Sequence, residues 1–221
     1  QPGYLTSNTD GTITSTVAAN PEAGFSIVQW TGTRPTAGTL GHGLGLTPEM
    51  IIIKNTSIVS DWTVYAESEG PTTHGILDTN GAWVSNAGAF NNTSPTSNVF
   101  TVGGDAYTNG AGNSIIAYCF RSIPGYSKIG FYVGTAAAGN FQYTGFQPSW
   151  LMVKCSSAIS RNWVIVDDRR GNSDYWLYPN TNDSEQGPYT DVVFNSTGFT
   201  LGTNASYVNG SGDTYIFLAI A

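Results

Sequence analysis

The stretch YTNGAGNSIIAYCF (107–120) is rewritten one hundred residues later as YVNGSGDTYIFLAI (207–220). Tyr107/Tyr207, Asn109/Asn209, Gly110/Gly210, Gly112/Gly212 and Ile116/Ile216 coincide, while Asn113 and Ser114 become Asp213 and Thr214. An N-G-x-G turn supplies the left-handed backbone that branched residues resist. The run that follows it is apolar on both faces, the pattern of a strand buried in the middle of a sheet. One turn and one central strand, written twice, predict one β unit built twice.

The agreement extends outward. GFSIVQWTGT (24–33) matches GYSKIGFYVGT (125–135) with one extra residue near the end, which sets Trp30 against Phe131. GLTPEMIIIKN (45–55) matches GFQPSWLMVKC (145–155), aligning Gly45/Gly145, Pro48/Pro148 and Lys54/Lys154. DWTVYAE (61–67) matches NWVIVDD (162–168), and VFTVG (99–103) matches GFTLG (198–202). Residues alternate with period two in these runs, and Gly/Asn-rich turns separate them. Helical spacing is sustained nowhere. The reading is all-β: two tandem, internally duplicated antiparallel β-sandwich repeats, jelly-roll-like, at 24–122 and 125–221, behind an N-terminal lead or linker strand at 1–23. The framework tryptophans Trp62 and Trp163 are expected at matching buried places, and the last strand of each repeat at the centre of its sheet.

Of 221 residues 40% are hydrophobic, ample for a core, but only 10% are charged, against roughly 25% in an ordinary soluble domain. The polar surface is therefore Ser, Thr, Asn and Gly. With eight Lys and Arg and a net charge of −7, nothing answers a row of phosphates, so nucleic acid is not an expected partner. No apolar run approaches a membrane span. The chain opens at Gln1 with no signal-peptide pattern, and reads as a mature or shortened piece of something longer. Cys119 and Cys155 are not equivalent in the repeat and read as buried free thiols.

Chemistry is sparse. His42, in GHGLG, reads as turn packing, and two His with two Cys scattered along the chain make no zinc site. Glu67 and Asp168 fall at equivalent strand ends, the one pairing that would suit a glycosidase; each also reads as a solvated carboxylate. The segments 8–11 and 78–81 are oxygen-rich without a full calcium loop and read as Asx turns. No cofactor and no metal is expected, and no enzymatic activity.

Specificity is expected where the repeats differ, in loops 79–98 and 172–189. Trp83 and Phe90 in the first, and Tyr175 and Tyr189 in the second, stand among Asn, Ser and Gly as candidate ligand-binding residues. Trp83 and Tyr175 lead, because an exposed ring among amides is what a sugar stacks on.

Taken together, GFSIVQWTGT, GHGLGLTPEMIIIKN, DWTVY, NNTSPTSNVFTVGG and NGAGNSIIAYCF, followed by GYSKIGFYVG, YTGFQPSWLMVK, NWVIVDD, GFTLG and NGSGDTYIFLAIA, resemble a domain of unknown function found in tail-fibre and other virion-associated proteins of tailed bacteriophages. The likeness runs from about residue 18 to the C-terminus. It brings no ligand, catalytic residue or fold with it. It implies a place on the phage particle, outside the cell, among other virion proteins, and a homo-oligomer. The expectation is a tail-fibre or appendage domain that aids host attachment by binding a cell-surface glycan. The alternatives are a purely structural decoration domain, or a carbohydrate-binding or degrading module of a secreted bacterial protein.

Overall fold

A computed structural model of the chain describes residues 5–171, 174–202 and 205–221. They form two compact units. The first runs to Ile76 and resumes over Trp83–Arg121; the second takes Leu77–Ala82 and Ser122–Ala221.

In the first unit the strands are β1 (Thr6–Asn8), β2 (Ser15–Asn20), β3 (Phe25–Thr31), β4 (Gly38–Gly41), β5 (Met50–Asn55), β6 (Trp62–Ala66), β7 (Thr73–Ile76), β8 (Val84–Ser85), β9 (Val99–Val102) and β10 (Ser114–Phe120). Single helical turns α1 (Ala87–Phe90) and α2 (Ala106–Asn109) interrupt them. The second unit has β11 (Ser127–Val133), β12 (Asn140–Tyr143), β13 (Trp150–Cys155), β14 (Val164–Asp167), β15 (Val192–Asn195), β16 (Gly198–Leu201), the turn α3 (Ser206–Asn209) and β17 (Thr214–Ile220). The large sheet of the first unit runs β1-β2-β3-β10-β5-β6-β7-β8, beside the pair β4-β9; the second unit has β11-β17-β13-β14 and β12-β16-β15. The strand ladders are antiparallel throughout the described residues.

The orders β3-β10-β5-β6 and β11-β17-β13-β14 are the same order. The doubly apolar strands β10 and β17 sit inside their sheets, as their composition requires. On β10, Ile115, Ala117 and Cys119 point into a core closed on the other side by Leu40, Phe100 and Val102 of β4 and β9. On β17, Tyr215, Phe217 and Ala219 meet Phe199 and Leu201 of β16. Each unit is thus two layers over one core. Both thiols are free and buried, and burial pushes that of Cys119 up to about 12.

One sequence alignment and one expectation of burial need correction. Ile115 pairs with Trp30, and Tyr215 with Tyr132. Trp30 therefore matches Tyr132 rather than Phe131; the extra residue lies before β11 and not near its end. Phe131 falls on the opposite, exposed face. The framework tryptophans also part company. Trp163 is buried, its backbone N–H held at 2.8 Å by Asn180 Oδ1. Trp62 is only half-buried, with the Lys54 ammonium 5.5 Å from its ring centroid, a cation–π contact that keeps that side of the ring near water. The same dipeptide position thus serves two environments.

The repeated turn has a physical cause. Asn109 is fully buried. Its Nδ2 donates to the carbonyls of Gly103 (2.8 Å) and Thr36 (2.9 Å), and its Oδ1 accepts from Thr33 N (2.8 Å). Asn209 does the same work: Nδ2 donates to Gly202 O (2.7 Å) and Ala137 O (3.0 Å), and Oδ1 accepts from Thr135 N (2.9 Å) and Asn140 Nδ2 (3.0 Å). One amide ties the end of β3 or β11 to the end of β9 or β16. The glycine after that strand lies so close that a Cβ on Gly32 or Gly134 would come within 2.0 or 2.1 Å of the Gly110 or Gly210 carbonyl. Side-chain amides that satisfy buried backbone groups this completely are costly to replace.

One substitution pair shows the two units solving a shared problem differently. Ile115 lies opposite Asn55, and Tyr215 opposite Cys155. In the first unit Asn55 Nδ2 donates to Ala106 O at 2.9 Å. In the second the Tyr215 hydroxyl donates to the matching carbonyl, Ser206 O, at 2.7 Å, and accepts from Gly210 N at 2.7 Å.

The lead is where the units differ most. β2 pairs with β3 from Thr16–Gln29 to Asn20–Phe25. Residues before it run along the free edge of β4: Thr12 and Thr39 exchange backbone-to-hydroxyl bonds of 2.9 Å, and Ile13 N donates to Thr39 O at 3.0 Å. Among the described residues, β11 has no strand in the place of β2.

Candidate functional site

The four residues singled out in the divergent loops are placed as follows. Phe90 is a core residue, 1% exposed, with its ring edge-on to Tyr65 at 5.4 Å. The reason is α1: Asn86 Oδ1 accepts from Gly88 N at 2.8 Å, and the turn it starts carries Ala89 and Phe90 inward. Phe90 is therefore not an exposed contact. Trp83 is half-buried. Its ring covers the bare backbone of Gly75, where a Cβ would come within 2.3 Å of ring carbons, so it packs on its own unit. Tyr175 is half-buried between Gly171 and Gly187. Tyr189 is half-buried too, 4.7 Å from the buried Trp176 ring. In the second loop the structure brings Tyr175 and Tyr189 into one neighbourhood: Tyr189 N donates to Asp174 O. Asn172 and Ser173, at the start of that loop, lie outside the described residues.

Several of the titratable groups singled out in the sequence are held by neighbours. His42 is buried. Its Nδ1 accepts from Leu44 N at 3.2 Å, which leaves Nε2 to carry the proton and donate to Thr96 O at 3.2 Å. Burial lowers its pKa, so it stays neutral. Asp167 pairs with Arg170 (3.0 Å) and Asp168 with Arg169 (3.1 Å), while Glu67 is exposed. Asn8 Oδ1 accepts from Asp10 N at 3.0 Å, an Asx turn. Among the described residues no three His, Cys, Asp or Glu gather as a metal site would require.

One concave site lies outside the divergent loops. β2 and β3 stop pairing at Thr16–Gln29, although β3 continues two residues further, to Thr31. At this fork a groove of about 360 Å³ opens, within the size range of ligand pockets. Register defines its floor. Ser7 pairs with Thr16, Thr16 with Gln29 and Gln29 with Ile116, one row across four strands. Thr31 and Ser114 pair in the next row. Directly paired residues share a face, and Trp30, buried on the other face, makes this the outward one. The far end is rigid: Thr56 Oγ1 donates to Ser114 O (2.8 Å), and Ser57 Oγ accepts from Ser114 N (2.9 Å).

None of the residues lining the groove is charged. Ser7, Thr16, Gln29, Thr31 and Ser114 are exposed and offer hydroxyls that both donate and accept, plus one amide. The groove can therefore exchange hydrogen bonds with a neutral polyhydroxyl ligand. Its signal in the sequence is faint: Thr12, Thr14 and Thr16 alternate with Ile13, Ser15 and Val17, a polar stripe of period two inside a segment that reads as a linker.

No curated protein and no solved structure matches the chain. A family model matches residues 2–221, nearly the entire chain. The chain belongs to the family described as a domain of unknown function, DUF7483.

Proposed function

We propose that the chain is an attachment module that binds a neutral polysaccharide in the groove at the β2–β3 fork, and that it serves a tail fibre or similar appendage of a phage particle in holding a host surface. The observation that carries the binding reading is the groove's chemistry: hydroxyls and an amide on a rigid sheet, with no charge. Sugar hydroxyls exchange bonds with water for bonds with Thr16, Gln29, Thr31 and Ser114 at little net cost, because both partners donate and accept. The small share of charged residues in the whole chain, 10%, supports the same reading, since the polar surface is mostly hydroxyl and amide. The virion setting rests on the sequence resemblance alone.

The test is an array of neutral bacterial capsular and O-polysaccharides probed with the intact chain at low and at high salt. Retention on at least one polymer, unchanged by salt and lost in the Thr16→Ala/Gln29→Ala double variant, is the expected result. A folded chain that binds none of them, or binds only at low salt as a charge-driven contact would, overturns the proposal.

A further inference from the structure

We infer that the second unit carries a separate sugar-stacking platform on the outer face of its three-stranded sheet; this rests on the polysaccharide reading above. On β12 the side chains alternate, and Phe141 and Tyr143 are 45% and 68% exposed. Register places Phe141, Thr200 and Val193 in one row, and Tyr143, Gly198 and Asn195 in the next. Phe199 and Leu201 fill the core from the other face, so these six residues share the outward one. Phe141 leans over bare backbone: a Cβ on Gly198 would come within 3.0 Å of its Cζ. Beside the rings, Asn195 Nδ2 donates to Thr200 Oγ1 at 2.8 Å and to Val193 O at 3.2 Å, which fixes the amide and turns its oxygen to a ligand as an acceptor.

The fold does not call for these rings. By register, Thr39 and Gly41 occupy the matching places in the first unit, since Leu40 pairs with Phe100 as Gln142 pairs with Phe199. There the lead fills the place: a Cβ on Gly41 would strike the Asn8 side chain, and Thr39 Oγ1 accepts from Thr12 N. The second unit leaves this face uncovered among the described residues and furnishes it with two aromatic side chains. Exposed apolar surface of this kind marks an interaction site. Charge selects the occupant. None of the six residues is ionisable near neutral pH, and a net charge of −7 repels anionic polymers at range. A neutral polysaccharide, with flat ring faces and hydroxyl edges, complements both the rings and the amide–hydroxyl pair.

The same polysaccharide array, followed by titration with each polymer retained, tests this on the full chain. Phe141→Ser/Tyr143→Ser should weaken binding roughly 3- to 10-fold per ring lost, with an unchanged melting temperature and a sedimentation coefficient equal to that of the parent chain. Tyr143→Phe, which keeps the ring, should bind within about twofold of the parent. Undiminished binding by the Ser/Ser variant, while Thr16→Ala/Gln29→Ala abolishes it, overturns the platform and leaves the groove reading standing. A parent chain that binds no polymer overturns both. Self-association of the parent that the Ser/Ser variant abolishes shows a contact between copies, and also overturns the platform.

Discussion

Truncating Asn109 to Ala should cost about 2–3 kcal/mol. The side chain makes three bonds shorter than 3.0 Å, to Thr33 N, Thr36 O and Gly103 O. Each is worth roughly 0.5–1.5 kcal/mol net, which gives about 1.5–4.5 kcal/mol. Thr33 and Thr36 are exposed whereas Gly103 is buried. Water can therefore replace two of the lost partners and not the third, which places the cost in the middle of that range. Asn209 makes four comparable bonds, to Thr135 N, Asn140 Nδ2, Ala137 O and Gly202 O, so Asn209→Ala should cost at least as much. Asn109→Asp should be no better than Asn109→Ala near neutral pH, because it sets carboxylate oxygen against the Gly103 and Thr36 carbonyls. The assay is urea unfolding followed by tryptophan fluorescence and circular dichroism. If either Ala variant loses less than about 0.5 kcal/mol, the amide is not the tie that explains the repeated turn, and the reasoning fails.

Other consequences follow from the same packing. Tyr215→Ile should cost about 1–3 kcal/mol by leaving Gly210 N and Ser206 O without their partner; adding Cys155→Asn, the first unit's solution, should recover at least 0.5 kcal/mol in a double-mutant cycle. Lys154 is fully buried, with Nζ donating to Arg161 O, and burial holds its pKa down to about 8. Its folded pKa lies below its unfolded value of 10.5, so the unfolded chain binds more protons between them and stability should rise with pH from about 8 toward 10. Above about 10 the raised pKa values of buried Tyr132 and Tyr215 should reverse that slope; Lys154→Met should flatten the rise, and an unaltered pH profile in that variant would count against it. Trp83→Ala should lower stability by about 1–3 kcal/mol through the uncovered Gly75 backbone while polysaccharide binding per folded molecule stays at the parent level; a loss of binding without loss of stability would restore Trp83 as a contact residue.

Strand content and strand centrality were legible in the sequence because both are local. Ile115 to Phe120 and Tyr215 to Ile220 are apolar on both faces, and only a central strand buries both. What stayed hidden depends on register, which only partner strands define. A one-residue slip exchanges the faces of a strand, and that is how Trp30 was set against Phe131 when its partner is Tyr132. The Trp62 and Trp163 dipeptides look alike in one dimension; the neighbours that separate them, Lys54 and Asn180, come from elsewhere in the chain. The loops drew attention because aromatic residues stood out among polar ones. Phe90 went to the core through a cap at Asn86, and Trp83 settled on a glycine. The groove was missed because its residues are individually bland. Thr16, Gln29 and Ser114 line one groove only when β2, lying outside the repeated segments, is laid beside β3.

The most direct measurement is an amide chemical-shift titration of the isotope-labelled chain with an oligosaccharide cut from a polymer that it retains. Perturbations are expected at Thr16, Gln29, Thr31 and Ser114, and on β12 around Phe141 and Tyr143, with loops 79–98 and 172–189 silent. Shifts confined to those two loops, with the β2–β3 fork unmoved, would contradict this expectation.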